Sequence, residues 1–209
     1  KDKDGAIYAF NLDGKIINKI ENIKRPNNID VAYNFPLGDT TLDIAVFTER
    51  LTNCIRVFSM PDLKELDNGG IPVFEDEEQK APMGISLYTK YNKETSRNDI
   101  YAIVSRKEGP TDGYLHQYLL YADSNNVVKG TLVRKFGKFS GIKEIEAIAV
   151  DNELGYIYYS DEQHSVRKYY ADPSKGNQEL ASISTKSYKA DNEGISIYKN
   201  DDGTGYIFV

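Results

Sequence analysis

The chain has one cysteine, Cys54, no tryptophan, two histidines and two methionines in 209 residues. A single thiol excludes an intrachain disulfide and a thiolate zinc cluster by counting, so the fold stands without covalent staples. His116 and His164 fall in separate stretches, which speaks against a histidine-based metal or nucleophile site, and both are expected at the surface. No apolar run approaches the roughly 20 residues of a membrane-spanning helix, and the start Lys1-Asp2-Lys3-Asp4 is no signal peptide. No transmembrane segment is expected. Sustained basic runs are missing as well: 26 Lys and Arg face 32 Asp and Glu, a net charge of −6, so nucleic acid is not an expected partner. The chain also lacks a Gly-x-Ser-x-Gly elbow, a Gly-rich phosphate loop and a His-Glu-x-x-His helix, which leaves side-chain nucleophilic catalysis without support.

What the chain does have is 16 tyrosines and 8 phenylalanines within 40% hydrophobic residues, enough for a sizeable core and weighted towards pleated, half-buried surfaces. Short apolar alternations recur between Gly, Asn, Asp and Pro, and no segment keeps a helical period for three turns, so the fold class is all-β. The alternations fall into families. Asn28–Tyr33, Gly84–Tyr88, Ala147–Asp151 and Gly194–Tyr198 form the first, at the intervals of roughly 50–60 residues that suit propeller blades. Leu42–Phe47, Asp99–Val104, Gly155–Tyr159 and Gly205–Val209 follow as second strands. Third strands are read at Gly5–Phe10, Cys54–Phe58, His116–Leu120 and Ser165–Tyr169, and weaker fourth strands at Ile16–Ile20, Thr131–Phe136 and Leu180–Ile183.

Four antiparallel strands per unit, repeated radially, describe a β-propeller; an irregular β-sandwich is the alternative. Blade material is assigned to residues 1–24, 25–80, 81–140, 141–187 and 188–209 of one partial propeller domain. Three complete blades then lie between two halves, about four blades' worth, and the chain reads as an incomplete ring cut at both ends.

In a propeller, equivalent strand ends of successive blades meet at one mouth. Glu144 and Glu146 precede one first strand, Asp161 and Glu162 end the strand after it, and Asp191 and Glu193 precede the next first strand. Gathered there, these carboxylates suit Ca²⁺, which takes 6–8 oxygen ligands, better than zinc. Lys3 lies before a third strand, while Arg50 and Lys107 follow second strands in adjacent blades. Cations beside a carboxylate-held metal would receive a phosphate ester.

The segments Lys3-Asp-Gly-Ala-Ile-Tyr-Ala-Phe-Asn-Leu-Asp-Gly14, Asn27-Asn-Ile-Asp-Val-Ala-Tyr-Asn-Phe-Pro-Leu37, Lys107-Glu-Gly109, Glu146–Tyr158 and Asp191–Tyr198 resemble the β-propeller, calcium-dependent alkaline phytases along nearly the whole chain. The resemblance implies a six-bladed propeller with calcium in a cleft, where metal-activated water hydrolyses phytate or related inositol phosphates. It places Lys3, Asn27, Asn28, Arg50, Lys107 and Glu108 at the substrate, and Glu146, Glu162, Asp191 and Glu193 around the metal. Of these, Arg50, Lys107, Glu146 and Glu162 carry the chemistry. It further implies a bacterial protein that is secreted, periplasmic or at the cell surface; a monomer is expected. The chain departs from the family at Asp4, Glu49 and Met83, where a Lys, an Asn and a substrate-facing Tyr are usual, and two of these changes add negative charge. A non-catalytic propeller that binds a ligand or protein partner is the alternative function, and a calcium-using lactonase the third.

Overall fold

A computed structural model describes Asp2, residues 4–188 and residues 191–209. Strands β1 (Ile7–Phe10) and β2 (Ile16–Ile20) form a hairpin. Three four-stranded antiparallel sheets follow, each pairing its strands in chain order. The first holds β3 (Pro26–Leu37), β4 (Thr40–Glu49), β5 (Cys54–Met60) and β6 (Ile71–Pro72). The second holds β7 (Pro82–Asn92), β8 (Arg97–Arg106), β9 (Asp112–Ala122) and β10 (Val128–Lys138). The third holds β11 (Ile148–Asp151), β12 (Tyr156–Asp161), β13 (Ser165–Tyr170) and β14 (Ala181–Ser184). A second hairpin, β15 (Ser196–Lys199) with β16 (Gly205–Phe208), comes last. Among the described residues the one helical element is a 3₁₀ turn, Pro173–Lys175, and no helix is long and apolar enough to cross a membrane.

The continuous apolar runs in the sequence become strands buried on both faces. In β8, Ile100, Ala102 and Val104 join Ile44, Val46, Ile55 and Val57 of the first sheet, while Tyr101 and Ile103 turn the other way and join Ile157, Tyr159 and Tyr169 of the third. The two-residue period of a strand divides the run between two cores. The same alternation sends Phe47 and Phe58 towards Ile7 and Ile23. Side chains such as Phe47, Ile100 and Tyr159 are fully buried, each worth roughly 1.5–3 kcal/mol of transfer free energy. Sheets stacked face to face in chain order are the organisation of propeller blades.

All three main strand families lie where the alternation places them. The short β6 has too little pattern to be read from sequence, and β14 starts one residue later than expected. His116 corrects its surface expectation: it is 0% exposed, because it alternates with Leu115 and Gln117 on a strand covered on both sides.

Candidate functional site

The antiparallel registers make three positions equivalent. Phe47 pairs with Ile29, Val104 with Ile85 and Tyr159 with Ile148. Three residues beyond each of these, Arg50, Lys107 and Glu162 donate their backbone N–H groups to the carbonyls of Arg25 (3.1 Å), Ala81 (3.0 Å) and Glu144 (3.3 Å). Each acceptor stands four residues before the paired isoleucine. Bulges between Pro26 and Ile29 and between Pro82 and Ile85 lift the inner strands away from the regular ladder here, as bulges beside functional rims do.

A hydroxyl lies beneath this rim in each of the three four-stranded sheets. The Asn28 N–H donates to Thr48 Oγ1 (3.1 Å), and the Thr48 hydroxyl donates to the Met83 carbonyl of the next sheet (2.8 Å). One sheet further on, the Gly84 N–H donates to Ser105 Oγ (2.8 Å), whose hydroxyl bonds the Ile145 carbonyl. In the third sheet Ser160 Oγ receives the Asn192 amide. The repeated hydroxyl staples each sheet to its successor and sets the spacing of the rim.

These staples bring inner strands together across the mouth. Asn28 Nδ2 reaches the Glu146 carbonyl at 2.7 Å, a link from the first sheet to the third. Gly84 lies beneath that contact: a Cβ there would press on the Glu146 carbonyl and come within 2.8 Å of Ser105 Oγ. Asn27 is buried, with Nδ2 3.5 Å from Met83 Sδ.

Glu144 stands beside Lys107, and Asp191 beside Lys143. The Lys107 ammonium is 3.7 Å from Glu144 Oε1, and Lys143 Nζ is 3.2 Å from Asp191 Oδ2. Asp191 also accepts from Gln163 Nε2 at 2.7 Å; that bond, followed by Lys143, holds its carboxyl below the usual range. Glu162 is buried, and burial first, then the charges of Asp191, Glu144, Glu146 and Glu193, push its carboxyl up to about 7. Four acids of two chain segments therefore act on one side chain.

Glu146 is partly buried, whereas Glu193 and Glu108 are exposed. Arg50 is partly exposed, and its guanidinium has no side-chain partner among the described residues. Lys3 lies outside the described residues. Among those described, no three His, Cys, Asp or Glu side chains stand close enough to hold a metal ion as placed. Glu49 does not add its charge to the mouth: it is 3% exposed and paired with Arg56 at 3.2 Å, and Arg56 is held in turn by Asp67 at 3.0 Å. Met83 is likewise buried.

Sequence reasoning left Glu144 out of the metal and substrate sets, although it joins Lys107 and Glu162. It also passed over the buried layer. A signal for that layer exists in the repeated pattern Phe47-Thr-Glu-Arg50, Val104-Ser-Arg-Lys107 and Tyr159-Ser-Asp-Glu162: apolar, hydroxyl, buried charge, rim charge.

The phytase family model matches residues 1–209. A curated relative, the 3-phytase of Bacillus subtilis (strain 168), is 28% identical over 215 residues, covering 99% of this chain and 53% of the relative. The chain thus spans about half the length of the curated relative it matches. The whole-length match, running through the rim residues as well as the sheets, places the chain in the phytase family.

Proposed function

We propose that this chain carries much of the phosphate-handling face of a calcium-dependent phosphomonoesterase acting on phytate or related inositol phosphates. The observation that carries the reading is the shared register of Arg50, Lys107 and Glu162, which puts two cations and a carboxylate cluster at corresponding ends of three successive sheets. Family membership and the 3-phytase relative support the substrate class. We take residues 1–24, 25–80, 81–140, 141–187 and 188–209 as the blade units of a partial propeller, acting as a monomer outside the cytoplasm.

Glu144, Glu146, Glu162, Asp191 and Glu193 form an all-oxygen donor set with more negative charge than Lys107 and Lys143 neutralise. That donor chemistry fits a hard cation, and the Glu162 carboxyl is pushed up first by burial and then by the charges of Asp191, Glu144, Glu146 and Glu193. Glu146, Glu162, Asp191 and Glu193 would hold Ca²⁺, with Glu144 beside them. When bound, Ca²⁺ would supply charge to offset phosphate oxygens and would acidify the water that attacks phosphorus. Lys107 and Arg50 would hold phosphate oxygens, Arg as a fork and Lys as a point charge. Asn28 would orient the rim through the Glu146 carbonyl, and Lys3, Asn27 and Glu108 complete the proposed substrate side.

Phosphate release from phytate by the purified protein, measured with calcium and with chelator, tests this reading. Release with calcium and its loss in chelator are expected; equal, negligible release in both overturns it. The buried Met83, bonded to Asn27 where the family resemblance places a substrate-facing Tyr, favours a second reading as a non-catalytic binding module. Calcium-dependent affinity for inositol phosphates without turnover would select it.

A further inference from the structure

The residue in front of each rim position is charged and buried. Glu49, Arg106 and Asp161 precede Arg50, Lys107 and Glu162, and none is more than 3% exposed. Each stands near the third-strand residue at one shared register: Arg56 pairs with Phe47, His116 with Val104 and Arg167 with Tyr159. Glu49 meets Arg56 at 3.2 Å, and Asp161 meets Arg167 at 2.8 Å.

The middle sheet inverts the polarity. His116 can offer Arg106 no negative charge, and burial first, then Arg106 and Lys135, push its imidazole down to about 4, so it is neutral. The counter-charge comes from outside the sheet. Glu77, on the segment that joins the first sheet to the second, stands 3.3 Å from Arg106 Nη1 and 3.5 Å from His116 Nε2. Arg106 also donates to the Gln79 carbonyl at 3.1 Å and lies over the Phe74 ring at 4.6 Å.

Arg106 grips the turn that follows it at both ends. Its carbonyl accepts from the Tyr114 hydroxyl, and Gly109 rests on its side chain so closely that a Cβ there would lie 2.5 Å from Nε. Among the described residues its Nε has no hydrogen-bond partner. An apolar residue of similar volume often serves stability as well as a buried ion pair does. A charged residue at the same step of three sheets, with its sign reversed once and a counter-ion recruited from a connecting segment, points to geometry.

We propose that Arg106 is a positioning residue, which fixes the turn Lys107–Gly109 so that the Lys107 ammonium is presented to a phosphate group at the mouth. Glu77 is the counter-ion that allows Arg106 to be buried there. The inference rests on Lys107 binding phosphate.

Calorimetric titration with inositol hexakisphosphate at fixed calcium, on the parent protein, Arg106→Met, Lys107→Ala and the double variant, tests it. Each single change is expected to weaken binding about tenfold, and the double variant to bind no more weakly than Lys107→Ala alone. Losses that multiply to about a hundredfold, or unchanged binding by folded Arg106→Met, overturn the positioning role. Should Arg106→Met not fold, Glu77→Gln takes its place in the same cycle with the same two outcomes. If Lys107→Ala itself leaves affinity unchanged, the phosphate reading of Lys107 fails and this inference falls with it; a Lys107 effect without coupling to Arg106 overturns the positioning role alone.

Discussion

The Thr48 hydroxyl donates to the Met83 carbonyl at 2.8 Å, joining the end of β4 in one sheet to the inner strand of the next. The same oxygen accepts from the Asn28 N–H, so one buried side chain satisfies two backbone groups. Thr48→Val keeps the shape and removes both bonds. A loss of about 1–3 kcal/mol in denaturant-unfolding free energy is expected, with Thr48→Ser close to the parent. Equal stability of all three proteins would show that the staple contributes nothing.

Gly84 leaves room for the crossing of three inner strands. In Gly84→Ala the new methyl must displace the Glu146 carbonyl or Ser105 Oγ, and the Glu146 carbonyl is backbone. We expect a loss of about 1–3 kcal/mol and weakened inositol phosphate binding, since Asn28 loses its acceptor position. Unchanged melting and binding would mean that the rim can spread at no cost.

Glu162 makes the cation-free protein sensitive to alkali. Its folded pKa is raised from 4.5 to about 7, so its stabilising contribution is complete below about pH 4.5 and is lost as pH rises through 7. In chelator, Glu162→Gln should melt higher than the parent at pH 8 and should lack the parent's decline between pH 5 and 8. Adding Ca²⁺ should restore the parent and leave the variant little changed. Parallel melting curves for the two proteins across this range would contradict the carboxylate cluster.

His116 governs the acid side. Its folded pKa is depressed from 6.5 to about 4, so the unfolded chain binds its proton first, and the stability it contributes is lost as pH falls from about 6.5 through 4. His116→Gln should flatten the stability profile in that interval while leaving the profile above pH 7 unchanged in slope. The check is the denaturant midpoint at half-unit pH steps. A variant whose profile keeps the parent's slope between pH 6.5 and 4 would assign that slope to other groups.

Much of this architecture was legible in the order of residues. Alternations such as Leu42–Phe47 and Asp99–Val104 announce strands, and their spacing announces a repeat, whereas the cover on both faces comes from the neighbouring sheets. The equivalence of Arg50 and Lys107 was legible for the same reason, since both stand three residues past an apolar anchor. Glu144 was harder to place, because a carboxylate before a strand looks like any solvated turn residue until Lys107 is seen 3.7 Å away. The departure at Glu49 read as negative charge added to the site; its neutralisation by Arg56 depends on a cross-strand register that a list of residues does not display.

The sequence by itself determined the strands, their period and the chemical kind of each rim residue, because a strand's alternation and a side chain's charge are local properties. Only the tertiary structure decided which charges face the mouth and which are spent beneath it. Glu49 and Arg50, and Arg106 and Lys107, are neighbours in the chain, yet the first of each pair is buried and the second is partly exposed, while Asp161 and Glu162 are both buried. Glu49, Arg106 and Asp161 are the last residues of β4, β8 and β12 and Arg50, Lys107 and Glu162 the first beyond them, so what covers each depends on the neighbouring segments and not on the local chain.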